Sequence, residues 1–422
     1  MLEKFIKREI LADIQKELNT PEILVILGSR QVGKTTLLKI LEKQLKDAGE
    51  KTLFFNLDIE EDREHFKTQR EFIKKIELEI GKNKGFVFID EIQRKENASL
   101  FLKGLYDMGL PYKFIVTGSG SPELKSKIKE SLVGRKIVFE LLPVSFKEFL
   151  NFKTDYKYQD KLEEFIKVEE RLAQDLFFEY LNFGGYPRVI LGENLEEKLK
   201  VIREIYNSYL EKDITYFVKR EKLPVYSSLV KILADQVGRI VNYGELSNTL
   251  GASFQTIKTY LYLAEKTFVL ERITPFYRNI RKELIKSPVV YFYDLGLVNF
   301  ALGRFGNISP TMNLGFLIQN LIFLKLKERS QSENYQIHFW RTKTKNELDF
   351  VLERGKEILP IEVKYSNLKI AKVPQNLKSF LNNYPCQKAL IINRNLDQKI
   401  KFKKTEINFI NILSFLLKEQ TF

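Results

Sequence analysis

The sequence predicts a multidomain α/β protein, on three observations. A glycine-lysine-threonine loop stands between an apolar strand and a helix. A second apolar strand ends in two adjacent carboxylates. The C-terminal half carries nearly all of the excess positive charge. At 422 residues the chain has room for about three domains with separate cores.

The loop is Gly28-Ser29-Arg30-Gln31-Val32-Gly33-Lys34-Thr35-Thr36, which reads G-x-x-x-x-G-K-T. That pattern cradles phosphates in nucleoside triphosphatases. Ile23-Leu24-Val25-Ile26-Leu27 enters it as a buried strand, and Thr36 to Glu42 leaves it with helical periodicity. The glycines let backbone N–H groups approach an oxygen-rich ligand at a helix N-terminus. Lys34 would reach the β- and γ-phosphates of ATP, and the Thr35 hydroxyl would ligate Mg²⁺.

The first 150 residues continue as a P-loop core with a parallel sheet. Lys51 to Asp58 reads as a strand and Glu61 to Glu79 as a helix. The apolar run from Gly85 ends in Asp90-Glu91. ATP hydrolysis needs one carboxylate near Mg²⁺ and a second group to orient the attacking water. Asp90 suits the first role and Glu91 the second. Lys113 to Val116 is a further strand, and Thr117 or Ser119 at its end would sense the γ-phosphate. Ile137 to Leu142 reads as one more strand, and Ser145 with Glu148 forms a capping box beyond it.

Residues 151–222 read as helices, interrupted at Phe183-Gly184-Gly185-Tyr186-Pro187. They form either a lid over the nucleotide or a helical linker. From 223 to 290 the pattern is helix, glycine turn at Gly251, Ser253 cap, second helix, then two strands around a basic turn. This is a winged-helix layout. Ile257, Leu261 and Ala264 would face the core. Gln255, Thr256, Lys258 and Thr259 on the helix, with Arg278, Arg281 and Lys282 on the wing, would meet DNA. A protein-docking winged helix is the alternative.

Residues 291–422 carry a second constellation. Asn346 to Glu353 and Ile358 to Tyr365 read as two strands around the turn Arg354-Gly355-Lys356. Alternation puts Glu362 and Lys364 on one face, with Asp349 beside them in a hairpin. Asp349 and Glu362 would hold Mg²⁺, and Lys364 would support the nucleophilic water or the departing phosphate charge. The apolar neighbours Leu359, Ile361 and Val363 make this charged set costly unless it is paired or functional.

Composition narrows the rest. One cysteine, Cys386, excludes an internal disulfide and a multi-thiolate metal site. Two histidines, His65 and His338, argue against a histidine metal site. The sequence shows no signal-peptide core and no apolar run that spans a membrane, so the cytoplasm is the expected location. Of the net charge of +14, residues 1–150 contribute +3, residues 151–220 contribute −2, and residues 221–422 contribute +13. That asymmetry favours a polyanion, most simply DNA.

The whole chain resembles P-loop ATPases of prokaryotes with an AAA-like N-terminal domain (AAA_14) and a DUF4143 C-terminal region. The resemblance is carried by G-S-R-Q-V-G-K-T-T at Gly28, F-I-D-E-I-Q at Phe88, T-G-S at Thr117 and L-L-P-V-S-F-K-E-F at Leu141. It continues with G-G-Y-P at Gly184, Y-F-Y-D-L-G-L at Tyr291, F-W-R-T at Phe339, E-L-D-F-V-L at Glu347 and I-E-V-K at Ile361. It implies an ATPase core, helical lid, winged helix and a restriction-endonuclease-like domain of the PD-(D/E)XK type. It also implies an arginine that completes the ATP site, commonly from a neighbouring copy in a homo-oligomer. Arg135 is the best-placed candidate and Arg30 the second. In the nuclease-like fold a preceding helix often adds an acid. Gln319 stands at that place here, so the domain either cleaves with Asp349, Glu362 and Lys364 or binds DNA without cutting. The expected function is a Mg²⁺-dependent ATPase acting on DNA. The alternatives are an ATP-gated nuclease in defence or repair and a nucleotide-switched protein-binding regulator.

Overall fold

The computed structural model describes residues 5–119, 132–209, 222–277, 287–342, 344, 346–419 and 421. Among these, the N-terminal strands are β1 (Ile23–Gly28), β2 (Thr52–Asn56), β3 (Gly85–Asp90), β4 (Tyr112–Ser119) and β5 (Lys136–Leu141). They form a parallel sheet in the order β2-β3-β4-β1-β5. Parallel pairing demands crossover helices, and these cover both faces. Strand alternation divides the core accordingly. Leu24, Ile26, Phe86 and Phe88 pack with Leu37, Leu38 and Leu41 of helix Lys34–Asp47. Val25, Leu27, Val87 and Ile89 pack on the other side with Phe72 and Ile76 of helix Gln69–Ile80 and Leu102 of helix Ala98–Asp107.

The helix expected over Glu61 to Glu79 is two helices, Glu60–Glu64 and Gln69–Ile80. Phe66 is buried in the break, and the Thr68 side chain caps the second helix by accepting from Glu71 N at 3.1 Å. The capping box of Ser145 and Glu148 forms as expected and starts helix Phe146–Lys153.

Residues 162–208 are mostly helical, with breaks at Gly184–Tyr186 and Gly192–Asn194. Helices Leu223–Asp235, Tyr243–Leu250 and Phe254–Lys266 follow. The strands after them are shorter than the Phe268 to Tyr277 and Ser287 to Asp294 that the sequence suggests: β6 (Leu270–Ile273) pairs antiparallel with β7 (Val289–Phe292), and Ile240 bridges to Val289. All four β7 residues are buried, because Tyr291 stacks on Phe323 and tilts against Phe350.

The C-terminal region begins with helices Leu295–Ala301 and Gly315–Glu333. Strands β8 (Gln336–Arg341), β9 (Glu347–Arg354) and β10 (Glu357–Lys364) form an antiparallel meander. Helix Gln375–Asn383 then crosses to β11 (Lys388–Asn393), parallel to β10. β12 (Gln398–Phe402) and β13 (Thr405–Asn411) complete the sheet order β12-β13-β11-β10-β9-β8. One apolar cluster unites the middle and C-terminal regions, from Val144 and Phe146 through Val289 to Leu417. Among the described residues, no helix is long and apolar enough to cross a membrane.

Candidate nucleotide site and carboxylate cluster

The sheet order assembles the first site. β4 lies between β1 and β3, so Gly28, Asp90 and Thr117 share the C-terminal edge. Thr35 Oγ donates to Asp90 Oδ2 at 2.6 Å, and Thr117 Oγ donates to Asp90 Oδ1. Glu91 N donates to Thr117 Oγ at 3.1 Å. Thr117 therefore joins both acidic residues at the end of β3. Lys34 is buried and donates to the carbonyls of Gly28 (3.1 Å) and Ser29 (2.8 Å). Gly28 must lack a side chain, since a Cβ there would lie 2.5 Å from Leu141 O.

Gln31 (φ 58) and Glu91 (φ 56) both take left-handed backbone without being glycine. Such strain costs about 1–3 kcal/mol and collects at functional sites. At Glu91 it turns the side chain off the end of β3, where the Gln93 amide donates to its carboxylate.

A cleft of about 960 Å³ opens over this edge. Gly33, Lys34, Thr35 and Glu91 line its floor, and Phe5, Ile6 and Ile40 give it apolar wall. The helices after the Gly184 break form the opposite wall through Pro187, Arg188, Leu191 and Glu204. Pro187 meets Gly33 (φ 99), whose Cβ would lie 3.7 Å from Pro187 Cγ. Arg188 donates to Gln31 Oε1 at 2.9 Å and to Glu204 at 3.2 Å. The helical segment thus covers the loop directly. Arg8 secures the N-terminal segment against the loop, donating to Val32 O (3.2 Å), Leu142 O (2.6 Å) and Glu148 (3.1 Å).

Arg30 lines this cleft. Arg135 does not join it. Its carbonyl accepts from Ile23 N at the start of β1, the end of the sheet opposite the loop, and its side chain pairs with Asp107 at 2.6 Å. Among the described residues Arg188 reaches the loop from the covering helices. The sequence marks G-G-Y-P as a turn and as a motif of the resemblance, and nothing local to it assigns a role to the arginine that follows.

The second constellation also assembles. Asp349 lies across from Glu362 on β9 and β10, continuing the register Ile361 with Phe350. Asp349 Oδ2 accepts from Val363 N at 2.7 Å, and Oδ1 accepts from the Gln319 amide at 2.7 Å. Gln319 therefore occupies the place expected of it. A Cβ on Gly238 (φ 72) would lie 2.4 Å from Gln319 Oε1, so the loop after helix Leu223–Asp235 closes on this amide. Glu362 is buried, and its Oε2 has no hydrogen-bond partner among the described residues. Burial pushes Glu362 up to about 7, with Asn376 and Lys364 opposing it. Burial, then the Glu362 charge, raises Asp349 well above the ordinary carboxylate range. An unpartnered carboxylate oxygen such as Glu362 Oε2, beside a second buried carboxyl, is what a divalent cation would relieve. Among the described residues no group of three or more histidine, cysteine or acidic side chains is arranged to hold a metal ion.

On helix Phe254–Lys266, Ile257, Leu261 and Ala264 are buried as expected. Gln255, Lys258 and Thr259 are exposed, and Thr256 is half-buried against the Ser253 cap at 2.8 Å. Lys258 lies over the exposed Phe254 ring at 4.7 Å. Arg278, Arg281 and Lys282 lie outside the described residues.

Three stretches of the chain match family models. Residues 20–150 match the family model of an AAA domain, residues 174–307 a domain of unknown function (DUF8612), and residues 314–415 a domain of unknown function (DUF4143). An uncharacterized protein of Haemophilus influenzae is 28% identical over 409 residues, covering 94% of this chain and 93% of that protein. One of Methanocaldococcus jannaschii is 29% identical over 361 residues, covering 83% of this chain and 76% of that protein. Among solved structures, AMPPCP-bound DnaA from Aquifex aeolicus is similar at 16% identity and a TM-score of 0.30, covering 71% of this chain and 93% of that chain. Family models thus match both parts of the chain, AAA_14 over residues 20–150 and DUF4143 over residues 314–415.

Proposed function

We propose that the protein is a Mg²⁺-dependent ATPase whose cycle drives action on DNA. The observation that carries this reading is the joined set Thr35, Asp90, Thr117 and Glu91 beneath a phosphate loop. Lys34 would turn from the loop carbonyls to the β- and γ-phosphates. Thr35 Oγ and the Asp90 carboxylate would hold Mg²⁺, which neutralises phosphate charge as the terminal P–O bond breaks. Glu91 would accept a proton of the attacking water and aim its oxygen at the γ-phosphorus. Arg188 would meet the charge that develops there. Fluorescent ATP analogue binding tests the site. Wild type should bind in the presence of Mg²⁺, and Lys34→Ala should lose binding at least tenfold; equal binding by both would remove the assignment.

The basic C-terminal half supports DNA as the partner. The helical triplet with its antiparallel ribbon supports a winged helix, with Gln255, Lys258 and Thr259 outward. The order helix Gly315–Glu333, β8, β9, β10, helix Gln375–Asn383, β11 supports a nuclease-like domain. With an amide at Gln319 in place of an acid, DNA binding without cleavage is the reading adopted. The orphaned Glu362 oxygen favours the second reading, an ATP-gated nuclease. Plasmid nicking with Mg²⁺ or Mn²⁺ separates them. Cleavage by wild type that Asp349→Ala abolishes would establish the nuclease, and intact plasmid with both proteins would support binding alone.

A further inference from the structure

The turn that carries Arg188 is held from far along the chain. Asp294, 1% exposed, lies two residues after the end of β7. Its Oδ2 accepts from Gly185 N at 2.6 Å and its Oδ1 from Leu297 N at 2.8 Å, with the Gly296 amide as a further donor. Gly184 (φ 73) fits because it has no side chain: a Cβ would lie 2.5 Å from both Asp294 oxygens. Asn299, one helical turn on, adds bonds to the carbonyls of Leu181 (2.7 Å) and Asn182 (2.9 Å).

Burying a carboxylate among main-chain amides is costly, and burial raises Asp294 to about 7. What this carboxylate fixes is the entry to Pro187 and Arg188, which meet Gly33 and Gln31 of the phosphate loop. The other side of Asp294 leads to the second constellation. Phe292 on β7 is clamped by Asn320, which accepts from Phe292 N at 2.7 Å and donates to Phe292 O at 2.9 Å. Asn320 adjoins Gln319, whose amide holds Asp349.

We infer that Asp294 is a positioning residue for the nucleotide site: its carboxylate sets the Gly184–Arg188 turn so that Arg188 stands over the phosphate loop, and it does so from the region that also holds the Asp349 cluster. This rests on the ATPase reading. Asp294 touches no nucleotide and acts only through the turn, so its effect should vanish once Arg188 is gone.

Steady-state ATP turnover and binding of a non-hydrolysable analogue, on the full chain, test this for Asp294→Asn, Arg188→Ala and the double variant. Arg188→Ala should lower kcat about 100-fold. Asp294→Asn, which turns one acceptor into a donor facing main-chain N–H groups, should lower kcat about tenfold and leave the analogue Kd within about threefold. The double variant should match Arg188→Ala alone. Losses that multiply in the double variant, or wild-type kcat in Asp294→Asn, would overturn the inference while leaving the ATPase reading intact. Absence of turnover in the wild type would instead remove that reading and the inference with it. If Asp294→Asn does not fold, Asp294→Ser keeps one acceptor in a smaller side chain and carries the same test.

Discussion

Glu362→Gln should stabilise the C-terminal domain at pH 8 and do little at pH 5. Glu362 is 7% exposed, and burial raises it from 4.5 to about 7. A carboxyl raised in the folded state contributes stability that is fully present below its unfolded value and lost as pH rises through the folded one. The window therefore runs from about pH 4.5 to about pH 7. Each pH unit is worth about 1.4 kcal/mol, so ionising Glu362 in place costs about 3 kcal/mol. The neutral amide of the variant escapes that cost and also relieves Asp349, whose own ionisation the Glu362 charge opposes. The chain's single tryptophan reports on this domain: Trp340 on β8 is buried 5.2 Å from the Phe380 ring. Urea unfolding followed by Trp340 fluorescence from pH 5 to 8 reads the difference. The gap between variant and wild type should open with rising pH to about 3 kcal/mol. A gap independent of pH would refute the reasoning, because it would mean that Glu362 ionises freely in the folded protein.

Three further outcomes follow from buried partners and exposed charge. Arg8→Ala should destabilise by about 3–5 kcal/mol in denaturant unfolding, because it strands the buried Glu148 carboxylate, and it should weaken nucleotide binding by freeing Val32 O. Asn320→Ala leaves Phe292 N and O unpaired in a buried place, and calorimetry should show a loss of about 2–4 kcal/mol. Lys258→Ala should weaken DNA binding and reduce the slope of log affinity against log salt by about 1, with folding unchanged.

The P-loop core was legible because each of its signals is local. A buried strand, a loop with fixed glycines and a strand ending in Asp90-Glu91 are contiguous in the chain, and period-2 burial assigns their faces. The Asp349, Glu362 and Lys364 set was legible for the same reason, since one hairpin brings it together. Gln319 came from the family pattern, and its bond to Asp349 bears that placement out. Contacts between distant segments were not legible. Arg188 and Asp294 each lie in a stretch that sequence reading marked, yet nothing local shows that a carboxylate 109 positions away tethers Gly185. Arg135, read as an arginine that completes the site commonly from a neighbouring copy, lies at the end of its own sheet opposite the loop, and the sequence does not reveal which end of a parallel strand a residue occupies. The split of Glu61 to Glu79 into two helices was missed for a simpler reason: charge-rich periodicity hid the Thr68 cap.

Phosphate release from ATP, measured for wild type, Lys34→Ala and Glu91→Gln, tests the central claim most directly. The Glu91→Gln change leaves the Glu91 main-chain bond to Thr117 in place, so the site keeps its shape and loses only the carboxylate. Wild type should release phosphate in a Mg²⁺-dependent way, Lys34→Ala should neither bind nor turn over, and Glu91→Gln should bind ATP with wild-type affinity and turn over about 100-fold more slowly. Wild-type turnover by Glu91→Gln, or equal release by all three proteins, would contradict the account.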